Sequence, residues 1–191
     1  MKSPLVILLT ILSLSAFPQS ITNLSLTASG LTCSMCNKAI YKSLVRLSSV
    51  QKVDADIQAA AFTIYLKPGS KVVLDDFKKA VQDAGFSVAA LRIKANFTQS
   101  SISSGTELLL EGNRLSFPGV DEQVLVGART LLLIDKGYLS EKDRLKYDHL
   151  LQGSSGGDVK PTRFNGINEA PGANVSRGVE GNVYHVVLQQ S

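Results

Sequence analysis

The chain has 191 residues, of which 44% are hydrophobic and 19% are charged, and its formal net charge is +4. The composition is that of a folded protein and excludes an intrinsically disordered chain, and the length suffices for one medium domain or two small ones. Because the positive charge is modest and dispersed, we expect no nucleic acid among its partners.

Residues 1–20 are predicted to be a secretory signal peptide. Lys2 supplies a positive start, residues 5–17 form an almost unbroken apolar run, and small and polar residues follow. The apolar run is too short to span a bilayer comfortably, so an uncleaved anchor is the disfavoured alternative and no stable membrane insertion is expected after cleavage. The mature protein is therefore expected to be periplasmic or secreted.

Residues 21–94 are predicted to form one compact unit of strands and helices in the order βαββαβ. The first three strands are indicated by apolar residues that alternate with polar ones, the pattern of a half-buried strand. The alternating apolar residues are Leu24, Leu26 and Ala28 in the first strand, Val53, Ala55 and Ile57 in the second, and Phe62, Ile64 and Leu66 in the third. An apolar run at 86–93 is the fourth strand.

Both helices of this unit are indicated by apolar residues at helical spacing. The first helix carries Cys36, Ile40, Leu44 and Leu47 on one face, and the second carries Leu74, Phe77, Val81 and Ala84. Gly85 is expected to end the second helix in the C′ position. Two βαβ halves give an α+β fold, a ferredoxin-like sandwich with both helices on one face of the sheet.

The remaining residues are predicted to form a linker and a second domain. Residues 95–106, rich in serine and other polar residues, are expected to be the linker. Residues 107–191 are expected to form a small β-rich domain with one helix, for which a partial barrel is one form considered. Its elements are strands at 106–112, 123–135 and 182–188, a connection at 114–118, a helix from the N-cap Ser140 to about Leu151, and a mobile loop rich in glycine, proline and asparagine at 153–182.

The two cysteines of the chain lie three residues apart, in the run Gly30-Leu31-Thr32-Cys33-Ser34-Met35-Cys36 between the first strand and the first helix. Export favours disulfides, but so short a loop makes a poor structural staple, so a metal-binding or redox-active pair is the better interpretation. Cys36 falls in the first turn of the helix, where unpaired N–H groups favour a thiolate. It also lies on the apolar face, so we expect Cys36 to be partly buried and Cys33 to be more exposed.

The residues around the two sulfurs favour a soft metal ion. Two thiolates with no histidine and no flanking carboxylate suit ions of low coordination number, chiefly Cu(I), whereas a zinc site needs more ligands. Hg(II) or another soft ion fits the same pair of sulfurs, so the identity of the metal stays open at this point.

Residues 22–94 resemble the heavy-metal-associated domain family, whose loop reads G-M-T-C-x-x-C. Its members include copper chaperones, the N-terminal modules of copper-pumping ATPases and the periplasmic mercury-binding protein. The resemblance rests on the cysteine run, the βαββαβ order and the turn Asp83-Ala84-Gly85-Phe86. Leu31 stands where the family has a methionine that packs, so the exchange conserves volume. The second domain shows no such resemblance.

The resemblance implies a metal site and a role. Cys33 and Cys36 would be the metal ligands, and Gly30, Thr32 and Phe86 would support the metal loop. The partner would be a protein that donates or accepts the metal, such as a metal-transporting ATPase or a similar domain. The implied function is a Cu(I) chaperone or scavenger, not an enzyme, which binds one ion and passes it on by thiolate exchange.

Three alternatives are kept beside this function. A mercuric-ion scavenger would use the same two sulfurs. A thiol–disulfide oxidoreductase also carries C-x-x-C at a helix N-terminus, but the chain has no tryptophan, and its only proline between the cysteines and residue 94 is Pro68, in a turn. A metal-responsive interaction or sensor protein would use the ion to regulate the second domain.

Lys38, Lys42 and Arg46 lie four residues apart and form a basic stripe on the first helix. The stripe is either an ordinary solvated face or a docking surface that steers an acidic partner toward the cysteines. Met35, between the cysteines, is expected to face solvent rather than to bind the metal.

Three further side chains are expected to be structural. His149 and His185 are distant from each other and from the cysteines in the sequence, and lone histidines of this kind seldom bind metal. Tyr184 could belong to a recognition surface, but packing in the core is the favoured interpretation.

Overall fold

The computed structural model describes residues 19–30, 34–152 and 182–189. Its elements are β1 (Ser20–Ser29), α1 (Ser34–Leu44), β2 (Val50–Asp56), β3 (Ala61–Leu66), α2 (Leu74–Asp83), β4 (Ser87–Ile102), β5 (Glu107–Leu110), β6 (Asn113–Ser116), β7 (Gln123–Leu133), α3 (Glu141–Arg144), α4 (Asp148–Leu151) and β8 (Val183–Gln189). The expected signal peptide up to residue 18 and the expected mobile loop from 153 to 181 lie outside the described residues. In the described ranges, no helix is long and apolar enough to cross a membrane.

The N-terminal unit has the predicted ferredoxin-like arrangement. Its elements follow the order βαββαβ, and its strands lie in the spatial order β2-β3-β1-β4, each antiparallel to its neighbours. Leu24 and Leu26 of β1 share one core cluster with Ile40 of α1 and Phe77 of α2. Both helices therefore cover the same face of the sheet, and the α+β fold class is confirmed.

The second strand departs from the predicted alternation. Val53 is buried, but Ala55 is exposed and Ile57 is 58% exposed. The expectation that Ala55 and Ile57 face the core is wrong, because β2 is the edge strand of the sheet and ends at Asp56, so Ile57 already belongs to the turn toward β3.

The second helix ends as predicted, in a Schellman motif. Gly85 has a φ of +87°, and its N–H donates to the carbonyl of Gln82 at 2.8 Å. The N–H of Phe86 donates to the carbonyl of Val81 at 3.1 Å, which completes the pair of bonds that defines this cap. The motif fixes the direction in which the chain leaves α2 and enters β4.

Most of the expected linker is strand. β4 continues to Ile102, and β7 pairs with it from Arg92↔Leu132 to Ile102↔Gln123. Ala95 and Phe97 are buried on the core side, while Lys94 and Asn96, which alternate with them, are exposed. The serine-rich composition hid this alternation, and a bulge after Phe97 interrupts its period. Only the short turn after Ile102 remains of the predicted linker.

The C-terminal half adds four strands to the same sheet, whose full order is β2-β3-β1-β4-β7-β8-β6-β5. The connection expected at 114–118 is instead largely β6, which forms a hairpin with β5. Its two-residue turn, Glu111-Gly112, has φ values of +48° and +84°, as a type I′ turn requires. β8 lies between β7 and β6, antiparallel to the first and parallel to the second. The described strands form an open sheet, not a closed barrel.

The single helix expected near residue 140 is two short helices, α3 and α4, although the predicted cap is present. Ser140 accepts a hydrogen bond from the N–H of Asp143 at 3.2 Å. Residues of this segment belong to a second apolar cluster. Its buried members are Ala90, Leu132, Ile134 and Leu139, and the partly buried Tyr147, Leu151 and Val187 pack against them. Because neighbouring strand residues point to opposite faces, this cluster covers the sheet face away from α1 and α2. The division into two domains stays a prediction, since one sheet runs through both.

Candidate metal-binding site

The strand that precedes the cysteines ends in a turn that favours glycine. Gly30 is exposed and has a φ of +80°, and a Cβ atom placed there would meet no other atom within 4 Å. The backbone conformation rather than the available space therefore favours glycine at this position. Three predicted loop residues, Leu31, Thr32 and Cys33, lie outside the described residues.

Cys36 is the third residue of α1 and is partly buried, as expected from the helix phase. Its N–H lies among the N-terminal groups of the helix that lack intrahelical acceptors, in the part of the dipole that favours a negative charge. Cys36 is disulfide-bonded in the structure. The chain has only one other cysteine, Cys33. Metal binding by the pair stays a prediction, and it requires the reduced form because thiolates are the metal ligands.

Phe86 lies at the same end of the sheet as the cysteine loop. Ala28 pairs with Val88 and Ser29 with Ser87, so the last residues of β1 adjoin the first residues of β4. Phe86 directly precedes β4 and packs, partly buried, against the main core. The Schellman motif that ends α2 thus places an aromatic side chain beside the strand end that leads to Gly30.

The outer face of α1 combines basic and apolar side chains. Lys38, Lys42 and Arg46 are exposed, as predicted for the stripe, and Met35 is 72% exposed. The sequence interpretation missed the apolar part of this face, to which Tyr41 and Val45 also belong. We call these six residues the α1 surface, although Val45 and Arg46 lie in the turn just after α1 ends at Leu44. Their spacing could have revealed the apolar part, since Tyr41 lies three residues after Lys38 and Val45 three residues after Lys42.

The inner face of α1 contains a polar residue that the sequence interpretation also missed. Asn37 is only 5% exposed, and Ile40, three residues later on the same helix, is fully buried. Its Oδ1 atom is buried and has no hydrogen-bond partner. Because a buried polar atom without a partner lowers stability, such atoms are uncommon in native proteins.

His185 pairs with Asp135, and its expected structural role stays a prediction. Its Nδ1 atom lies 2.8 Å from Oδ1 of Asp135, and its backbone N–H donates to Oδ2 of the same carboxylate at 2.6 Å. The hydrogen bond with Asp135 raises the pKa of His185 against the opposing effect of burial. His149 is exposed on α4. No group of three or more His, Cys, Asp and Glu side chains in the described ranges could hold a metal ion.

A carboxylate in the first turn of α2 collects donors from both halves of the chain. Oδ1 of Asp75 accepts from the Tyr138 hydroxyl at 2.6 Å and lies 2.7 Å from the Lys78 ammonium. Oδ2 accepts from the Asn182 amide at 2.7 Å and from the Tyr184 hydroxyl at 2.9 Å. We call these five residues the Asp75 cluster. Tyr184 is buried in the core, as predicted, but its contact with Asp75 joins elements that no local pattern connects.

The electrostatics of the Asp75 cluster favour the ionised carboxylate. Partial burial opposes ionisation, but the hydrogen bonds from Lys78, the two tyrosines and Asn182 outweigh it and lower the pKa of Asp75 to about 2. Burial, followed by the bond to Asp75, raises the pKa of Tyr184 to about 12 and also raises that of Tyr138. Both hydroxyls therefore stay protonated donors at neutral pH.

The β5–β6 hairpin contacts the N-terminal unit at the end of β1 that is remote from the cysteine loop. The carboxylate of Glu111 accepts from the N–H of Ile21 at 2.9 Å, and the buried amide of Asn113 donates to the carbonyl of Val72 at 3.0 Å. Ile21 and Gly30 are nine residues apart along a strand, which corresponds to about 30 Å. These contacts therefore lie far from the end of β1 that leads to the cysteine run.

No protein-family model matches the chain, and no curated protein matches its sequence significantly. Among solved structures, the yeast copper transporter domain Ccc2a is 27% identical, with 35% of this chain and 90% of that chain covered and a TM-score of 0.31. The CopZ metallochaperone is 24% identical over 36% of this chain and 100% of its own, with a TM-score of 0.33. Oxidised MerP from Ralstonia metallidurans CH34 is 26% identical over 37% of this chain and 97% of its own, with a TM-score of 0.32.

These three structures match a limited part of the chain, between 35% and 37% of its length, with TM-scores of 0.31 to 0.33. TM-scores this low support no conclusion about the function of the chain. The ferredoxin-like assignment of the N-terminal unit therefore rests on its own strand order and on the packing of its two helices.

Proposed function

We propose that the protein is an exported carrier of one soft metal ion, Cu(I) in preference to Hg(II), which it binds through Cys33 and Cys36. The observation that carries the proposal is the position of Cys36, partly buried in the first turn of α1, within a unit whose strands follow the order β2-β3-β1-β4. The exposed Gly30 turn leads into the cysteine run from the other side.

The chemistry of the two sulfurs decides the kind of ion. Two electrons and two protons from a thiol reductant convert a disulfide of Cys33 and Cys36 into two thiols. Loss of the thiol protons then gives thiolates, which the N-terminal dipole of α1 stabilises at Cys36. Two thiolates alone suit Cu(I), which accepts low coordination, and Hg(II) is the second candidate.

The proposed carrier releases the ion by exchange and catalyses no covalent change in a substrate. A thiolate of the acceptor protein binds the metal as a third ligand, one sulfur of the carrier leaves, and a second exchange completes the transfer. The α1 surface begins at the cysteine run and carries three basic side chains. It therefore suits an acidic donor or acceptor, such as a domain of a metal-transporting ATPase.

Anaerobic titration of the reduced protein with Cu(I), followed by native mass spectrometry, tests the proposal. We expect the wild type to bind one ion per chain and the Cys33→Ser/Cys36→Ser variant to bind none. Wild-type protein in the disulfide form serves as the matched control and should also bind none. Equal binding by the double variant and the wild type would refute the two-thiolate site.

A second candidate function, metal-dependent regulation of the C-terminal half, is favoured by the position of α2. The first turn of this helix carries Asp75, bonded to the C-terminal half, and its last turn leads to Phe86 near the cysteine loop. Hydrogen exchange of β7 and β8 with and without one equivalent of Cu(I) distinguishes the functions. Changed protection favours regulation, and unchanged protection favours simple carriage.

A further inference from the structure

One carboxylate just after β7 contacts both the ring and the backbone of a residue near the start of β8. Oδ1 of Asp135 lies 2.8 Å from Nδ1 of His185, and Oδ2 accepts the backbone N–H of the same residue at 2.6 Å. The carbonyl of His185 accepts from the N–H of Ile134 at 3.0 Å. An ionised carboxylate can only accept hydrogen bonds, so the contact with Asp135 assigns a proton to Nδ1.

β8 connects two parts of the sheet. It pairs with β7 on one side and with β6 on the other, and among the described strands β5 pairs only with β6. The residue before His185 also makes a long-range contact, since the hydroxyl of Tyr184 donates to Oδ2 of Asp75 on α2 at 2.9 Å. A change in how firmly His185 is held would therefore reach both the β5–β6 hairpin and α2.

The charged groups of the described residues near the His185 ring favour its protonated form. Besides Asp135, the carboxylate of Glu107 acts on the ring. Glu107 pairs with Ser116, and Ser116 pairs with His185, so the three residues form one row across β5, β6 and β8. Arg114 of β6 forms an ion pair with Glu107 and offsets part of its charge. The hydrogen bond with Asp135 is the largest cause that raises the pKa of His185, against partial burial.

Histidine is the only side chain whose ordinary pKa allows it to change charge between pH 5 and pH 8. The chain has two histidines, His149 and His185. His149 is exposed on α4, whereas the side chain of His185 is only 12% exposed and contacts a carboxylate. A change of charge within the fold near neutral pH therefore centres on His185.

We infer that Asp135 and His185 form a pH-sensitive clasp, which holds the start of β8 firmly while the ring is charged and less firmly once the ring has lost a proton. The proton leaves Nε2 for solvent, so the bond from Nδ1 to Asp135 stays but loses the attraction between a cation and a carboxylate. The inference does not depend on metal binding by the cysteines.

The direction of the pH dependence follows from linkage. The pKa of His185 is raised above its ordinary value of 6.5, which applies to the unfolded chain. The added stabilisation is therefore fully present below pH 6.5 and is lost as the pH rises through the pKa of the folded protein. We expect the C-terminal strand to be held most firmly in mildly acidic solution.

Two measurements on the full chain in its disulfide form test the clasp. NMR titration of the His185 ring gives the pKa in the folded protein, and hydrogen exchange, corrected for intrinsic rates, gives the protection of the β8 amides relative to those of β1. From about pH 5.5 to above the measured pKa, relative protection should fall about tenfold for each pH unit by which that pKa exceeds 6.5. Constant relative protection would overturn the inference, as would an equal fall in β1 and β8, which would assign the effect to the whole fold.

The two histidines supply a matched pair of variants. His185→Asn can place an amide N–H near the position of the Nδ1 donor but does not titrate, so its β8 protection should not depend on pH in this range. His149→Asn should keep the wild-type pH dependence. Dependence that persists in His185→Asn, or disappears in His149→Asn, would refute the clasp. If His185→Asn does not fold, Asp135→Asn should lower the measured pKa of His185 and weaken the pH dependence, and the wild-type comparison stands without either variant.

Discussion

The hydroxyl of Tyr138 donates to Oδ1 of Asp75 at 2.6 Å and so joins α2 to the chain segment that follows β7, 63 residues away. The bond has a charged acceptor, and such bonds contribute more than bonds between neutral groups. The aromatic ring of Tyr138 also contacts that of Tyr184 edge-on, with 5.7 Å between the ring centroids. Polar and aromatic contacts therefore attach the C-terminal half to α2 at the same place.

Asp75→Asn should lower the free energy of unfolding by about 2 kcal/mol. The substitution keeps the shape of the side chain but removes its charge. It also replaces one acceptor oxygen by an NH₂ donor. This new donor faces two other donors, either those of Tyr138 and Lys78 or those of Asn182 and Tyr184. The loss should be smaller than the sum of the bonds because the carboxylate is partly solvated. Urea denaturation followed by circular dichroism measures the change.

Asp76→Asn is the control for this change, because Asp76 lies in the same helical turn and is exposed. Surface substitutions of this kind usually change stability by less than about 0.5 kcal/mol. A loss of equal size in both variants would mean that the helix dipole, and not the Asp75 cluster, accounts for the effect.

The contribution of Asp75 should disappear at low pH. The pKa of Asp75 is lowered from 3.8 to about 2 in the folded protein. Its stabilising contribution is therefore fully present above pH 4 and is lost as the pH falls from 4 toward 2. The difference in stability between wild type and Asp75→Asn should accordingly be constant from pH 7 to pH 5 and shrink below pH 4. A difference that stays constant down to pH 2 would contradict the assigned pKa.

The predictable parts of the fold are those with a clear local period. Alternation predicted β1 and β3, helical spacing predicted α1 and α2, and a glycine at C′ marked the end of α2. Alternation did not predict β4 beyond residue 94, because polar side chains fill the outer face of this strand and a bulge shifts the phase of the alternation. It also failed for β6, since a four-residue strand shows too few alternations.

The candidate site likewise has features that the sequence predicts and features that it does not. The partial burial of Cys36 follows from its phase on α1, which the sequence contains. The burial of Asn37 does not, because a polar residue at that helix position has no local reason to face the core. The Asp75 cluster could not be predicted, since its donors come from α2, the segment after β7, and β8, and only the strand order brings them together.

Phe97→Ala should lower the free energy of unfolding by about 3–5 kcal/mol, because it leaves a large cavity in the main core. Phe97 is only 2% exposed, although it lies where the sequence indicated a linker. Thr98→Ala, at the neighbouring exposed position, is the control and should change stability by less than about 0.5 kcal/mol. Similar small effects at both positions would mean that residues 95–102 do form a linker.

Charge reversal on the α1 surface should slow metal transfer. In the Lys38→Glu/Lys42→Glu/Arg46→Glu variant, the exposed face that begins at the cysteine run becomes acidic and repels an acidic acceptor. We expect the transfer rate to fall about tenfold or more at low ionic strength, since electrostatic steering changes association rates by such factors. Stopped-flow measurement of Cu(I) transfer to a purified acidic two-thiol acceptor domain gives the rate.

The salt dependence and a matched variant separate docking from net charge. Surface charges are screened over about 8 Å at physiological ionic strength and over about 3 Å at 1 M, so the rates of variant and wild type should converge as salt is added. Lys71→Glu/Lys79→Glu/Lys142→Glu changes the net charge by the same amount at exposed positions outside α1. Because steering depends on where the charges lie, this variant should transfer metal nearly as fast as the wild type. Equal slowing in both variants would assign the effect to net charge and leave Lys38, Lys42 and Arg46 as an ordinary solvated face.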